Sequence, residues 1–233
     1  MKTLTIFTLS ILMLWGCNQS QSKNPGQNPV STPQTEVAAP ALQADTLFTF
    51  DNYPTGEAPE GWSNYFTGKG HTGKWEIVND NGNKVLAQTS MENYGYHFDV
   101  IVNDTLNYKD MEITVRFKGV KGEEDQGGGP VWRYQDADNY YIARANPLEN
   151  IFRVYKVVNG NRRQLKSINM EINTGQWYTM KITMKGNKIK CYLDDTLRLE
   201  AVDDTFENYG KTGLWTKADA VTYFDNFEVI PLK

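Results

Sequence analysis

From residue 47 onward, apolar and polar residues alternate in short runs separated by turn-forming residues. Period-two alternation puts successive side chains on opposite faces of an extended chain, so each run predicts a half-buried β-strand. The runs cover 47–50, 75–78, 84–88, 97–102, 111–118, 130–134, 140–145, 151–157, 164–168, 177–184, 188–193, 198–203, 211–216 and 221–229. Between them, Asn81-Gly82-Asn83, Asn159-Gly160-Asn161 and Gly186-Asn187 supply the positive-φ positions that tight hairpins need. No stretch sustains a helical period. Many short strands joined this way predict an all-β fold in which two antiparallel sheets pack face to face as a jelly-roll sandwich.

The first 44 residues break this pattern. Lys2 precedes a mostly apolar run from Leu4 to Trp15, followed by Gly16 and Cys17. A charged start, an apolar core and a small residue before the cut describe a secretory signal over residues 1–16. The core is about 12 residues, against the roughly 20 that a spanning helix needs, so it targets rather than spans. Leu14-Trp15-Gly16-Cys17 resembles the bacterial lipobox, which implies that Cys17 is the lipidated first residue of the mature chain. Several acyl chains on one cysteine hold a protein firmly to a bilayer, each buried methylene contributing roughly 0.8 kcal/mol. Residues 17–44 are rich in Gln, Pro, Ser, Thr and Asn and cannot bury enough surface to offset ordering entropy, which predicts a disordered tether. Asn18 does not resemble an inner-membrane retention signal, so the expected location is exported and outer-membrane anchored. The remainder, 45–233, fits one domain.

Charge and cysteine content narrow the partners. The formal net charge is −4 with no basic stripe to track phosphates, which argues against nucleic acid. The second of two cysteines, Cys191, shares a strand face with Ile189 and Leu193 and is expected to be a buried apolar filler. Thirteen tyrosines and six tryptophans exceed what one core needs and suggest exposed rings.

The run from Gly127 to Asn150, together with Val154 to Arg162, Trp177 to Lys188 and Gly213 to Asn226, resembles the 3-keto-disaccharide hydrolase-like family of concanavalin A-like (laminin-G-type) sandwiches. The resemblance implies a concanavalin A-like jelly roll in a secreted bacterial protein. It also implies either a hydrolase of glycosides or 3-keto-disaccharides, or a carbohydrate-binding module, because one sandwich serves both ends.

Strand alternation then nominates a ligand patch. If Trp132, Tyr141, Phe152 and Val154 face the core, then Arg133, Tyr140, Arg144, Arg153 and Tyr155 converge on the opposite face, with Asp125 and Gln126 at its rim. Guanidinium forks suit hydroxyls and carboxylates, and tyrosine rings stack on the apolar faces of sugars. The competing reading is cross-strand stabilisation of a solvated sheet. The preceding segment, Gly122 to Gly129, is expected to be a solvated acidic loop.

Catalysis is weakly signalled. Glycosidases need two positioned carboxyl groups, one of them protonated, and no strand carries such a pair. The acids would have to come from separate loops, as Asp125, Glu149 and Asp219 could supply, with His97 as a weak acid–base candidate. Phe50-Asp51-Asn52 and Phe224-Asp225-Asn226 bracket the domain, and adjacent first and last strands would bring Asp51 and Asp225 together as a possible structural calcium site. The favoured expectation is a lipid-anchored, oligosaccharide-recognising sandwich in the cell envelope. A glycoside hydrolase and an envelope protein-interaction scaffold are the alternatives.

Overall fold

The computed structural model describes residues 46–233; the expected signal, Cys17 and the expected tether lie outside the described residues. Fifteen strands form two antiparallel sheets. The first runs β13 (Thr196–Val202), β12 (Lys188–Leu193), β11 (Tyr178–Lys185), β6 (Met111–Lys121), β15 (Val221–Pro231), β4 (Asn83–Gln88), β3 (Trp75–Asp80), with β1 (Thr46–Phe48) also paired to β15. The second runs β10 (Asn161–Asn169), β9 (Ile151–Val158), β8 (Asn139–Asn146), β7 (Gly128–Asp136), β14 (Gly210–Lys217), β5 (His97–Tyr108), β2 (Trp62–Gly68). The two sheets make the jelly-roll sandwich that the alternation predicts.

Every predicted run overlaps a strand, and one strand escaped the pattern. In β2, Tyr65 and Phe66 are consecutive instead of alternating, and Gly61 and Gly68 bound the segment as if it were loop. It survives as an edge strand because all seven of its residues pair with β5.

Between the sheets lies a core built from Trp132, Tyr141, Phe152, Val154, Phe117, Phe224, Ile182, Cys191 and their neighbours. Cys191 is fully buried on the face it shares with Ile189 and Leu193, and burial pushes its thiol well above the ordinary range. The other face of the second sheet carries a second core: Phe98, Val100, Val102, Val131, Tyr134, Tyr140, Ile142, Tyr155, Val157 and Trp215, with Tyr65 against it. The central strands are therefore buried on both sides.

The second sheet curls to make this possible. Thr67 on the β2 edge hydrogen-bonds the Tyr140 hydroxyl of β8 (2.7 Å) and the Ala137 carbonyl. Tyr96, just before β5, donates to the Gly160 carbonyl in the β9–β10 turn (2.9 Å) and accepts from the Arg162 amide (2.7 Å). A flat sheet with strands about 4.8 Å apart could not bring these edges together.

One feature of β7 departs from simple alternation. Arg133 has φ +45° and the register with β8 breaks between Trp132 and Asp136. This bulge returns Tyr134 to the same face as Val131 and turns Arg133 away. Its guanidinium donates to the carbonyls of Lys109 (2.7 Å), Phe206 (2.5 Å) and Gly186 (2.7 Å) and to the Asp110 carboxylate (3.1 Å). Arg133 thus ties three loops together and does not join the predicted patch. Burial pulls its guanidinium below the usual range, and Asp110 opposes that pull.

Removing a buried, fully hydrogen-bonded charge leaves its partners unsatisfied, a loss of about 3–5 kcal/mol. Arg133→Ala is therefore expected to lower the urea midpoint sharply. A variant that unfolds at the parent midpoint would show that the three loop carbonyls do not depend on it.

Candidate functional site

The second core does not fill its whole face. Where β8 ends and β9 begins, the floor turns polar. Arg144 sits on β8 in step with Tyr140 and Ile142, and its side chain is only 1% exposed. One nitrogen of its fork donates to Asp125 and the other reaches Glu149 at 3.4 Å. Burial alone would lower this guanidinium; the Asp125 and Glu149 carboxylates more than reverse that and hold it above its ordinary value.

Asp125 is fully buried and committed on both oxygens. Besides Arg144 it accepts from the Gly127 amide (2.7 Å) and Asn146 (3.3 Å), with Lys217 at 3.4 Å. Asp219 shapes the loop that carries it. Its carboxylate accepts the amides of Glu123 (2.6 Å), Glu124 (3.1 Å) and Asp125 (3.0 Å). Burial raises the Asp219 carboxyl, and those amides outweigh it and hold it below the usual carboxylate range. The expected solvated acidic loop is thus a rigid one. A side chain at Gly127 would meet the Arg144 Nε at 2.6 Å, and one at Gly129 would collide with the Ala143 carbonyl, so these glycines serve close packing, not mobility.

From this buried pair the network opens to solvent. Glu149 is 43% exposed and is shared with Arg153 (3.5 Å), itself 30% exposed. Arg153 also donates to the Tyr155 hydroxyl (3.3 Å). Lys217, at the end of β14, pairs with Glu124 (3.2 Å). From β10, Arg162 lies across the rings of Tyr155 (4.6 Å), Phe98 (4.8 Å) and Trp215 (5.7 Å). Lys217 and Arg162 were not among the sequence candidates. The polar composition of β10 hides the inward reach of Arg162.

The remaining candidates lie elsewhere. Tyr140 shares the face but is sealed, its hydroxyl bonded to Thr67 and Trp215 (3.3 Å) and its ring stacked on Tyr134. Gln126 braces its own loop by donating to the Gly122 carbonyl (3.0 Å) and accepting from Thr174 (2.6 Å). Neither offers itself to a ligand.

Of the catalytic candidates, Asp125 and Glu149 meet at Arg144. Each carboxylate lies within ion-pair distance of the one guanidinium, Asp125 sealed beneath it and Glu149 half exposed. Asp219 serves as a backbone clamp. His97 is buried, with Nδ1 on the Lys69 carbonyl (2.5 Å) and Nε2 on Asp99 (3.1 Å); Asp99 also takes the Gly73 amide and Gln88. Burial alone would lower the imidazole, and the Asp99 carboxylate with the Lys69 carbonyl outweighs it, so its value rises.

The first and last strands do pair, Phe48 opposite Phe227. Several oxygens near Asp51 and Asp225 already have partners. Asp225 accepts from Asn83 (3.0 Å), Arg116 (3.4 Å) and the Asn226 amide (2.8 Å). The Lys84 ammonium sits on the carbonyls of Asp51 (3.0 Å) and Tyr53 (2.9 Å). Calcium needs six to eight oxygens, and of those here the Asp225 carboxylate and the Asp51 carbonyl already accept from protein donors. Among the described residues no group of three His, Cys, Asp or Glu could hold a metal.

These features define a curled jelly roll with an ion-pair network at the open end of its concave face. Family comparison agrees with that class. A model described as "3-keto-alpha-glucoside-1,2-lyase-like domain" matches residues 47–230, and the chain belongs to that family. A levanase from Bacillus subtilis is 25% identical over 150 residues, which is 63% of this chain but 19% of the levanase. The carbohydrate-binding module CBM66 from Bacillus subtilis superposes with a TM-score of 0.60 at 22% identity, covering 76% of this chain and 99% of the module. A β-glucanase from Bacillus licheniformis gives 0.55 at 14% identity, covering 82% and 99%. The fold is thus one used by carbohydrate-binding modules and glycoside hydrolases.

Two measurements check this part of the structure. Because the folded value of His97 is raised, its pairing stabilises the protein fully below about pH 6.5 and the contribution is lost as pH rises through the higher folded value. His97→Gln should flatten the fall in melting temperature across that window; an unchanged profile would remove the Asp99 pairing. Chelation with EDTA is expected to leave the melting temperature of the intact chain unchanged, and a drop would restore a metal to the fold.

Proposed function

We propose that this chain is a lipid-anchored envelope protein that recognises carbohydrate without hydrolysing it, at the polar end of the concave face. The observation that carries the reading is the Arg144 network, buried at Asp125 and open to solvent at Glu149 and Arg153. A buried ion-pair network adds little net stability compared with apolar packing of the same volume, so fold maintenance alone does not account for it. What it does provide is preorganisation. Glu149 and Glu124 can accept from sugar hydroxyls, Arg153 and Lys217 can donate to them, and each is held in place before the ligand arrives.

The levanase relative and the carbohydrate-binding module support a saccharide as the ligand class, and the family description supports a glucoside-related one. The pairing of Asp125 and Glu149 with one guanidinium favours binding over hydrolysis. Anchoring rests on the lipobox resemblance at Cys17 and on the tether that follows it. Among the described residues no helix is long and apolar enough to cross a membrane.

Glu149→Gln keeps shape and removes charge at a half-exposed position. In calorimetric titration against oligosaccharides selected on a glycan array it should weaken binding by about tenfold or more, equivalent to one charge-assisted hydrogen bond, with the melting temperature within a degree or so of the parent. Equal affinity in parent and variant would move the ligand away from this network.

A further inference from the structure

Four cations line the polar end of the concave face, and three have carboxylate partners. Arg144 pairs with Asp125 and Glu149, Arg153 with Glu149, and Lys217 with Glu124 and Asp125. The fourth, Arg162, has no carboxylate within ion-pair distance among the described residues. Its guanidinium rests on three aromatic rings, and its buried Nη1 has no hydrogen-bond partner. Burial disfavours its charge and Arg144 repels it; Tyr155, Asp125 and Tyr96 oppose this without restoring the guanidinium to its ordinary range. Cation–π contact offsets part of that cost but supplies no acceptor for the fork.

We propose that Arg162 is the specificity residue of this site and that the ligand it selects is an acidic sugar, its carboxylate pairing the one of these four cations that no described carboxylate reaches at ion-pair distance. The inference rests on the carbohydrate reading above and names the class within it. A planar carboxylate matches the guanidinium fork in a way that a neutral hydroxyl does not. The rings of Phe98, Tyr155 and Trp215 fix the plane of that fork, and the Arg162 amide is held by the Tyr96 hydroxyl, so little conformational freedom remains to be lost on binding. Of the three other cations, Arg144 and Lys217 already reach two carboxylates each, and Arg153 shares Glu149. An added negative charge therefore interacts most favourably with Arg162.

The experiment uses the intact chain and matched ligands. Oligogalacturonate, oligoalginate and a glucuronate-containing tetrasaccharide are each titrated beside the same oligosaccharide with its carboxyl groups chemically reduced. At least one acidic member is expected to bind about tenfold or more tighter than its reduced partner, with the advantage shrinking as salt is raised. Arg162→Gln should bring that ratio to near one, and Arg162→Lys should retain part of it. Should every reduced sugar bind as tightly as its acidic parent, the acidic class is overturned and the carbohydrate reading stands. If no sugar of either kind binds, both are overturned. Preserved acid preference in a folded Arg162→Gln variant likewise overturns the role of Arg162, which a purely structural residue would show by losing melting temperature alone.

Discussion

A β-strand buried on both faces must satisfy two packing surfaces at once, and β8 is such a strand. Tyr141, Ala143 and Ala145 meet the core between the sheets, while Tyr140 and Ile142 meet the core that the second sheet encloses by curling. Each fully buried large apolar side chain contributes roughly 1.5–3 kcal/mol, so the outward row has strong reason to find cover. The sheet provides that cover by bending until its β2 edge and its β9–β10 turn approach across the concave face. The alternative, an open platform of exposed rings, would leave Trp215, Phe98 and Tyr140 in water. The curl therefore decides where a ligand can reach. Where the row passes from Ile142 to Arg144 it turns polar, and the network there reaches solvent at Glu149 and Arg153.

The alternation of β8 and β9 was legible because nothing interrupts it. Tyr140, Ile142 and Arg144 share a face in the structure as the period implies, as do Tyr155 and Val157. Arg133 was placed on the wrong face, because a single residue at φ +45° breaks the alternation and a bulge has no composition signal in Trp-Arg-Tyr-Gln. Arg162 and Lys217 were invisible for another reason. Arg162 meets Phe98 and Trp215, residues far from it along the chain, only because the sheet curls. No local pattern encodes that curvature. The loop before β7 was legible only in part: Glu123 and Glu124 are exposed as its composition suggests, but Asp125 is fully buried and Asp219 uses its charge to hold the backbone.

Fold and site are coupled through that loop. The Ala218 amide donates to the His97 carbonyl (3.0 Å), which fixes the turn from which Asp219 collects the amides of residues 123–125. Those amides place Asp125, and Asp125 places Arg144. Each link is a hydrogen bond worth about 1 kcal/mol net, yet removing an intermediate member leaves a buried charge without its partner, which costs several times more. The chain of contacts is therefore stiffer than any one bond in it.

The same network grades from structural to available. Asp125 is sealed, Arg144 nearly so, and Glu149 and Arg153 are a third to a half exposed. Burial strengthens Coulomb attraction by lowering the local dielectric, and exposure weakens it by screening. The inner pair is thus fixed, while the outer carboxylate is held loosely enough that a ligand hydroxyl can share it. A single arginine can in this way belong to the fold at one nitrogen and to the proposed binding site at the other. The two roles separate along the side chain, not between residues.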